Sequence, residues 1–321
     1  MSDETSFLSH ARYGKDKVRI FRIVREGKWH HIVEYNVQAL LEGDIETSYT
    51  EADNSVVVAT DSIKNITYYI AKISPHVLVP ERFALHLATH LVSKYAHIHK
   101  AFVAIEQLRW SRIPVPGEQG TAEHPHSFIR DGDEKRIVKV EVDASKGKDK
   151  IIANVTAGLS DLLVLKTTES AFSGFVRDKY TILKEVDDRI LSTSIDLTYT
   201  FAPVKIPKPA DAQVEEFVVP AEIAPGSVWD TAVPTNARKV TLETFATDNS
   251  ASVQATLYRM ARLILAQHAH VQTVSYALPN KHYIPVDMGY LGVENLVPAQ
   301  AEVFMPIAAP SGLITATVSR K

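Results

Sequence analysis

Cysteine is absent from this 321-residue sequence, which excludes disulfides, thiolate metal sites, iron–sulfur clusters and cysteine nucleophiles. No apolar run approaches the roughly 20 residues that a membrane-spanning helix needs, so we predict no membrane span. The net charge of -3 gives no general attraction for nucleic acid, although a local basic pocket for a small anion remains compatible with it. We therefore predict neither a nucleic-acid nor a membrane partner, and any catalysis must use oxygen and nitrogen groups.

The two ends of the sequence carry little targeting information. The N-terminal stretch MSDETSFLSHARYGK is polar and mixed in charge, so it lacks an apolar signal core and secretion is not expected. The final tripeptide, Ser319-Arg320-Lys321, is similar to the Ser-Lys-Leu class of peroxisomal signals but ends in Lys. It is a hint of peroxisomal targeting and an incomplete match.

Strand patterns dominate the first half of the chain. Val18, Ile20 and Arg22 share one face of a strand, and the Gly27-Lys28 turn predicts a hairpin with the next strand. Pro80 begins a helix that has an apolar residue every four positions. The predicted elements are strands 17–26, 29–40, a fully buried 54–60, 101–110, 136–142, 150–155 and 162–165, helix 80–95, and a turn or loop at 113–120.

The second half is interrupted by proline. Six prolines between residues 202 and 234 exclude a long regular element there, so this segment is predicted to cross the surface. Before it we predict a short helix at 186–191 and a strand at 194–201. After it we predict a helix at 252–266 and a strand at 271–278 that continues into LPNKHY.

One order of features occurs twice, at 53–110 and at 248–283. It consists of Asp-Asn-Ser, a polar cluster, a helix, a His-x-His pair and a strand, which indicates an internal repeat. Paired strands followed by a helix, twice over, predict α+β domains with antiparallel sheets and helices on one face. We divide the chain into domains 1–150 and 151–321. Open sheet edges favour assembly of several chains.

The LPNKHY stretch, Leu278 to Tyr283, places Asn280 and His282 on one face of a strand. A carboxamide and an imidazole side by side can hold water or a small polar molecule and pass a proton. The three His-x-His pairs, 97/99, 124/126 and 268/270, have metal-ligand spacing, but a metal site also needs a third ligand. Histidine commonly caps or hydrogen-bonds at helix-to-strand junctions, which favours a structural role for the first and last pairs, and the pair in HPHSFIRD is predicted to lie in a structured loop. We therefore predict no metal site.

Other single residues have both ordinary and chemical interpretations. Lys15 before the first strand is either a solvated turn residue or a base whose pKa is lowered by burial or a second cation. Thr60 and Asp61 either end a strand or offer a hydroxyl relay and backbone donors. Arg189 and Gln254 suit a flat heterocycle, and Phe172 is either a core residue or a stacking platform.

Considered together, these residues lie in stretches that resemble the urate oxidase (uricase) family, in its fungal form, along nearly the whole chain. The stretches are RYGK at 12–15, LLEGDIETSYTEADNSVVVATDSIKN at 40–65, HPHSFIRD at 124–131, GFVRDKYTILKEVDDRILST at 174–193, TDNSASVQAT at 247–256, LPNKHY at 278–283 and GLI at 312–314. The resemblance implies two tandem tunnelling-fold domains and four chains that form a barrel tunnel, with active sites at subunit interfaces. It also implies a reaction without metal or organic cofactor, in which urate, O2 and water give 5-hydroxyisourate and hydrogen peroxide.

The resemblance assigns roles to individual residues. Lys15 and Thr60 match the catalytic base dyad, and Asn280 and His282 match the groups that handle oxygen and water above the substrate. The remaining residues match the substrate-binding pocket. Arg189 and Gln254 match the clamp on the substrate, and Phe172 matches the ring that stacks on it. The pocket wall is matched by Val253, with Ser252 beside it, Leu183 and Ile314, and Asp61 matches a backbone contact. The resemblance implies a peroxisomal localisation. If the incomplete C-terminal signal does not function, we expect the protein in the cytoplasm.

Two rival functions remain open at this point. One is a tunnelling-fold relative that binds or hydrolyses a purine or pterin without oxidising it, and the other is a catalytically inactive scaffold. Relatives of the first kind commonly use zinc or a catalytic Glu, so Lys15, Thr60, Asn280 and His282 argue against it. Only an activity assay distinguishes the inactive scaffold from an active enzyme.

Overall fold

The computed structural model describes residues 6–118, 120–209, 214–215, 217–297 and 300–321. The chain forms two compact units, and each combines two stretches of sequence. Unit 1 contains residues 1–158 and 200–231, and unit 2 contains residues 159–199 and 232–321. The division into domains at 150/151 remains a prediction about sequence organisation. In the described part of the chain, no helix combines the length and the apolar character needed to cross a membrane.

Strands and helices follow the predicted α+β class, which is confirmed. The strands are β1 (Tyr13–Glu26), β2 (Trp29–Gly43), β3 (Ile98–Gly117), β4 (Gly120–Asp143), β5 (Ile151–Lys166), β6 (Leu191–Phe201), β7 (Val204–Ile206), β8 (Val271–Pro285), β9 (Phe304–Ile307) and β10 (Leu313–Ser319). The helices are α1 (Thr47–Thr50), α2 (Thr60–Ile73), α3 (Pro80–Lys94), α4 (Ala232–Thr247) and α5 (Val253–Gln267).

In unit 1, strands β1 to β4 pair antiparallel in sequence order. The predicted hairpin is confirmed, because Glu26 pairs with Trp29 and Gly27 turns the chain with a φ of +62°. Val18 and Ile20 are buried, as the alternation predicts. Helix α3 begins at Pro80 as predicted and packs on β3 and β4 through a buried face that includes Phe83, Leu87 and Leu91.

In unit 2, β8 lies between β6 and β10 and also pairs with β9. The predicted helix after Ser252 and the predicted strand through LPNKHY are both confirmed as α5 and β8. The hydroxyl of Ser252 caps α5 by accepting a hydrogen bond from the Ala255 N–H at 3.1 Å. Helix α5 packs on β8 and β10.

The two units repeat one arrangement with a constant spacing. Pro80 and Val253, the first residues of α3 and α5, are 173 positions apart, and so are the last residues, Lys94 and Gln267. A cation from a later segment binds the carbonyl oxygens at each helix end, Lys148 in unit 1 and Arg320 in unit 2. The acceptors also differ by 173 positions and are Val92, Tyr95 and Ile98 for Lys148 and Leu265, His268 and Val271 for Arg320.

The predicted correspondence of the Asp-Asn-Ser clusters is wrong. Asp53 precedes α2, whereas Asp248 precedes α5, and the structural equivalent of α5 is α3. The predicted buried strand at 54–60 is also wrong. Residues Asn54–Val56 form a 3-10 turn capped by Asp53, only Val58 in this run is buried, and Thr60 begins α2. Asp53 favours the turn because its carboxylate accepts the Ser55 N–H at 2.9 Å.

The loop predicted for HPHSFIRD is wrong, because it lies within β4. The turn or loop predicted at 113–120 is confirmed only at its end, because β3 continues to Gly117 and pairs there with Gly120 of β4. The pairing of β2 with β3 extends only to Leu108, so beyond it β3 has a free side. Proline is tolerated there, since its missing N–H is not needed. Pro114 and Pro116 therefore pair with Glu123 and Thr121 of β4.

The predicted helix at 186–191 is wrong, since Val186 forms an antiparallel bridge with Phe172 and β6 begins at Leu191. Helix α4 was not predicted, because Pro234 lies within it. The proline occupies the first turn of the helix, where no intrahelical N–H bond is lost. Among the described residues of 202–231, regular structure is limited to the three-residue strand β7.

Candidate active site

Lys15 lies on β1 immediately before a β-bulge. Lys15 pairs with Ala39, and after the bulge Val18 pairs with Val37, so two β1 residues oppose Gln38 alone. Gly14 makes this geometry possible, because a Cβ there would lie 2.0 Å from the Ala39 carbonyl oxygen. The glycine of RYGK thus sets the backbone position of Lys15.

Thr60 and Asp61 form the first turn of α2, in the same unit as Lys15. The segment before the helix is tied to β1, because the Val58 N–H donates to the Tyr13 hydroxyl at 2.7 Å. The first N–H groups of a helix have no intrahelical acceptor, so this turn presents backbone donors. Asp61 is exposed, and its hydrogen bond and charge interaction with Lys64 lower its pKa, with a further contribution from the Lys15 charge.

Phe172 and Arg189 come together in unit 2. The Arg189 Cζ atom lies 5.0 Å from the centre of the Phe172 ring. Phe172 is held by two backbone hydrogen bonds to Val186, at 2.8 and 3.1 Å. Burial lowers the pKa of Arg189, and its Nε atom is buried without a hydrogen-bond partner. A buried, unpaired guanidinium N–H is costly and suits a ligand acceptor.

The start of α5 carries three further candidates. Ser252 is the N-cap, Val253 is buried and Gln254 is exposed in the first turn. The cap uses one acceptor site of the Ser252 hydroxyl, and the hydroxyl keeps its O–H donor. Gln254 can present its amide outward with both a donor and an acceptor.

Asn280 and His282 lie two residues apart on β8, on one face as the alternation predicts. The Asn280 N–H donates to the Gly312 carbonyl at 2.8 Å, and the Asn280 Oδ1 atom is buried without a hydrogen-bond partner. His282 is exposed and lies opposite Ile307 of β9. Ile314 on β10 lies opposite Leu278. Leu183 is exposed, and its carbonyl accepts a hydrogen bond from Arg177 at 2.8 Å.

The histidine pairs have structural partners. His97 Nε2 lies 3.0 Å from the Val56 carbonyl, His99 pairs with Asp44 at 3.0 Å, and His268 caps the end of α5. The rings of His124 and His126 pack edge to face at 4.5 Å. Within the part of the chain that the structure describes, no group of three or more His, Asp or Glu residues could hold a metal ion.

The structure thus groups the candidates within each unit. Lys15, Thr60 and Asp61 belong to unit 1, and the other nine belong to unit 2. Sequence reasoning missed the residues that hold the unit 2 candidates in place, among them Asp188, Ser250 and Thr256. Ser250 and Thr256 lie in the TDNSASVQAT stretch, but their role depends on partners distant in sequence, which no local pattern reveals.

Comparisons with known proteins cover nearly the whole chain. A sequence model of the family described as Uricase matches residues 11–141 and 155–315. The uricase of Aspergillus flavus is 48% identical over 318 residues, covering 98% of this chain and 97% of that protein. The uricase of Schizosaccharomyces pombe is 42% identical over 320 residues, covering 99% of both. The crystal structure of the Arthrobacter globiformis uricase matches with a TM-score of 0.81 at 32% identity, covering 99% of this chain and 96% of that one. The chain belongs to the uricase family.

Proposed function

We propose that the chain is a urate oxidase that converts urate, O2 and water to 5-hydroxyisourate and hydrogen peroxide without a metal or organic cofactor. The observation that carries the proposal is the Phe172–Arg189 pair, in a chain whose match to the uricase family spans the ranges that contain all of the candidate residues. In enzyme classification this is an oxidoreductase acting on urate with O2 as acceptor.

The unit 2 residues suit a flat, anionic heterocycle. The Phe172 ring offers a stacking face. Arg189 supplies N–H donors and a positive charge, and its unpaired Nε atom has a donor available for a ligand. Gln254 adds a donor and an acceptor at the start of α5. These contacts would orient urate and offset charge that grows during its oxidation.

The unit 1 residues suit proton removal. Urate is an electron-rich anion at neutral pH, and loss of a further proton makes it a stronger reductant for O2. Lys15 takes this proton through the Thr60 hydroxyl. Two electrons then pass from the urate dianion to O2, and the peroxide that forms takes up the proton held by Lys15 and one further proton from solvent to give hydrogen peroxide. Water adds to the oxidised purine, with Asn280 holding first oxygen and then water while His282 moves the protons.

Assembly is part of the proposal. The chain forms a homotetramer with active sites at subunit interfaces, as the family resemblance implies. Large apolar side chains that are exposed in the single chain support such assembly, and they include Val176 at 92% and Ile182 at 95% exposure. Light scattering across a dilution series would measure the oligomer, and a persistent monomer would contradict this part.

An assay of urate consumption tests the chemistry. Loss of urate absorbance and oxygen uptake would be followed together in buffer that contains a chelator. We expect equal molar consumption of both and release of hydrogen peroxide. Binding of urate without turnover would favour the non-oxidising purine-binding alternative. Turnover that the chelator abolishes would contradict cofactor independence and direct attention to the histidine pairs.

A further inference from the structure

Ser250 connects the parts of unit 2 that carry the binding residues. Its N–H donates to the Glu169 carbonyl at 3.0 Å, and its own carbonyl accepts the Ala171 N–H at 2.9 Å. Phe172 follows directly and pairs with Val186. The Asp188 carboxylate ties the same segment from the other side, because it accepts the Thr168 hydroxyl at 2.6 Å. The positions of the Phe172 ring and of Arg189 therefore depend on the place of Ser250.

The hydroxyl of Thr256, in the second turn of α5, holds Ser250 and Asp248. Thr256 is 3% exposed, and its Oγ1 atom lies 2.6 Å from Asp248 Oδ2 and 2.8 Å from Ser250 Oγ. The other carboxylate oxygen of Asp248 accepts a hydrogen bond from Arg259 at 2.7 Å. A charge-assisted bond to a carboxylate is among the stronger hydrogen bonds, so it restrains this loop firmly.

The three equivalent positions in unit 1 carry apolar residues. The residues 173 positions before Asp248, Ser250 and Thr256 are Pro75, Val77 and Phe83. Val77 and Phe83 are buried core residues of unit 1, and α3 still packs into the core of that unit. These three positions of such a helix start thus pack well without a hydroxyl or a carboxylate. Burying polar groups has a desolvation cost, so the polar set in unit 2 indicates a purpose other than packing.

We infer that Thr256 is a positioning residue for urate binding, an inference that rests on the proposed function. Its hydroxyl fixes Asp248 and Ser250, and Ser250 in turn fixes the segment that places the Phe172 ring next to Arg189. Thr256 contacts these partners and has no role in the proton chemistry assigned to Lys15 and Thr60.

Replacement of Thr256 tests the inference through the separation of KM from kcat. In Thr256→Val the side chain keeps its shape but loses the hydroxyl, so the binding residues are misaligned. We expect KM for urate to rise about 10-fold while kcat stays within about twofold, since the lost contacts act on bound substrate and transition state alike. Thr256→Ser keeps the hydroxyl and should restore KM. Thr67→Val is the matched control, because the buried Thr67 hydroxyl donates within its own helix, α2, to the Ile63 carbonyl.

A purely structural role gives a different result. A smaller folded fraction lowers apparent kcat and leaves KM unchanged, and that result, or a wild-type KM in Thr256→Val, would overturn the inference. Calorimetric titration with xanthine, a flat purine related to urate, separates the two proposals. If the wild type binds xanthine without oxidising urate, the proposed function fails. The positioning role then stands if Thr256→Val binds xanthine about 10-fold more weakly, and falls if the two affinities are equal.

Discussion

Helices α3 and α5 occupy equivalent places in the two units, but their first turns are used differently. In unit 1 the second residue of the helix, Glu81, is 4% exposed and accepts hydrogen bonds from Arg136 at both carboxylate oxygens, each at 2.6 Å. In unit 2 the equivalent residue is Gln254, whose side chain is exposed. In unit 1, an arginine of the same unit thus binds the carboxylate at the start of the helix. Unit 2 presents a neutral amide there, which is the state that can receive an anionic ligand.

The strands that pack against these helices, β3 and β8, differ less between the two units. Gln107 on β3 and Asn280 on β8 are 173 positions apart, and each has a buried side-chain oxygen without a hydrogen-bond partner. Two positions later, Arg109 in unit 1 forms ion pairs with Asp131 and Glu134, whereas the equivalent residue in unit 2 is the exposed His282. The two units are therefore alike at the first of these positions, and at the second unit 2 has an exposed histidine where unit 1 has an arginine paired within the unit. We assign ligand binding to unit 2 and the proton group to Lys15 of unit 1.

The largest effect should come from Lys15. In Lys15→Met the base is lost, so kcat should fall by roughly 10²–10⁴-fold while KM for urate changes little, because the side chains proposed to clamp and stack on urate, Arg189, Gln254 and Phe172, belong to unit 2. Steady-state kinetics would measure both parameters. Lys28→Met, in the exposed turn of the same hairpin, is the control. A large rise in KM with unchanged kcat would place Lys15 among the binding residues and break the division between the units.

Exchange of the two helix-start residues comes next. In Glu81→Gln the partly buried ion pair with Arg136 is broken, so the free energy of unfolding should fall by about 1–3 kcal/mol with KM unchanged. In Gln254→Glu stability should change little, but KM should rise because a carboxylate repels the urate anion. Urea unfolding and kinetics on both variants test this. Equal effects of the two substitutions on KM would show that the helix starts are not used differently.

Acid sensitivity should reside in unit 1. Burial and the neighbouring His76 and His90 lower the pKa of His86 to about 4, whereas the equivalent residue in unit 2 is Arg259. The unfolded chain then binds the proton more readily, so stability is complete above about pH 6.5 and falls as the pH drops toward 4, by up to about 3 kcal/mol. His86→Gln should flatten this dependence in urea unfolding across pH 4–7. An unchanged slope would locate the acid-sensitive groups elsewhere.

The smallest effect concerns Arg189. Arg189→Lys keeps the charge but loses the planar set of donors, so KM for urate should rise about 10-fold with the pH dependence of kcat unchanged. Arg262→Lys, an exposed arginine of α5, is the matched control. A wild-type KM in Arg189→Lys would show that charge alone suffices and that the planar clamp is not used.

Much of the fold was predictable where local pattern and tertiary environment agree. The β1–β2 hairpin follows from alternation and a glycine turn, and α3 and α5 follow from apolar spacing with Pro80 or Ser252 at the start. Local pattern failed where neighbours decide. The run 54–60 has a strand composition but forms a 3-10 turn and the start of α2, and Pro114 and Pro116 fit a strand because β3 has no pairing with β2 beyond Leu108 in the described part of the chain.

The candidate residues were identifiable from sequence because they lie in recognisable stretches, and the family comparison covers all of them. The sequence by itself determined the elements with strong periodicity, the absence of thiol chemistry and membership of a family. Only the tertiary structure decided that Arg136 closes one helix start while Gln254 leaves the other open, and that Thr256 holds Ser250. These interactions join residues far apart in sequence or separated by a turn, and their energies depend on burial and hydrogen-bond geometry, which residue order alone does not specify.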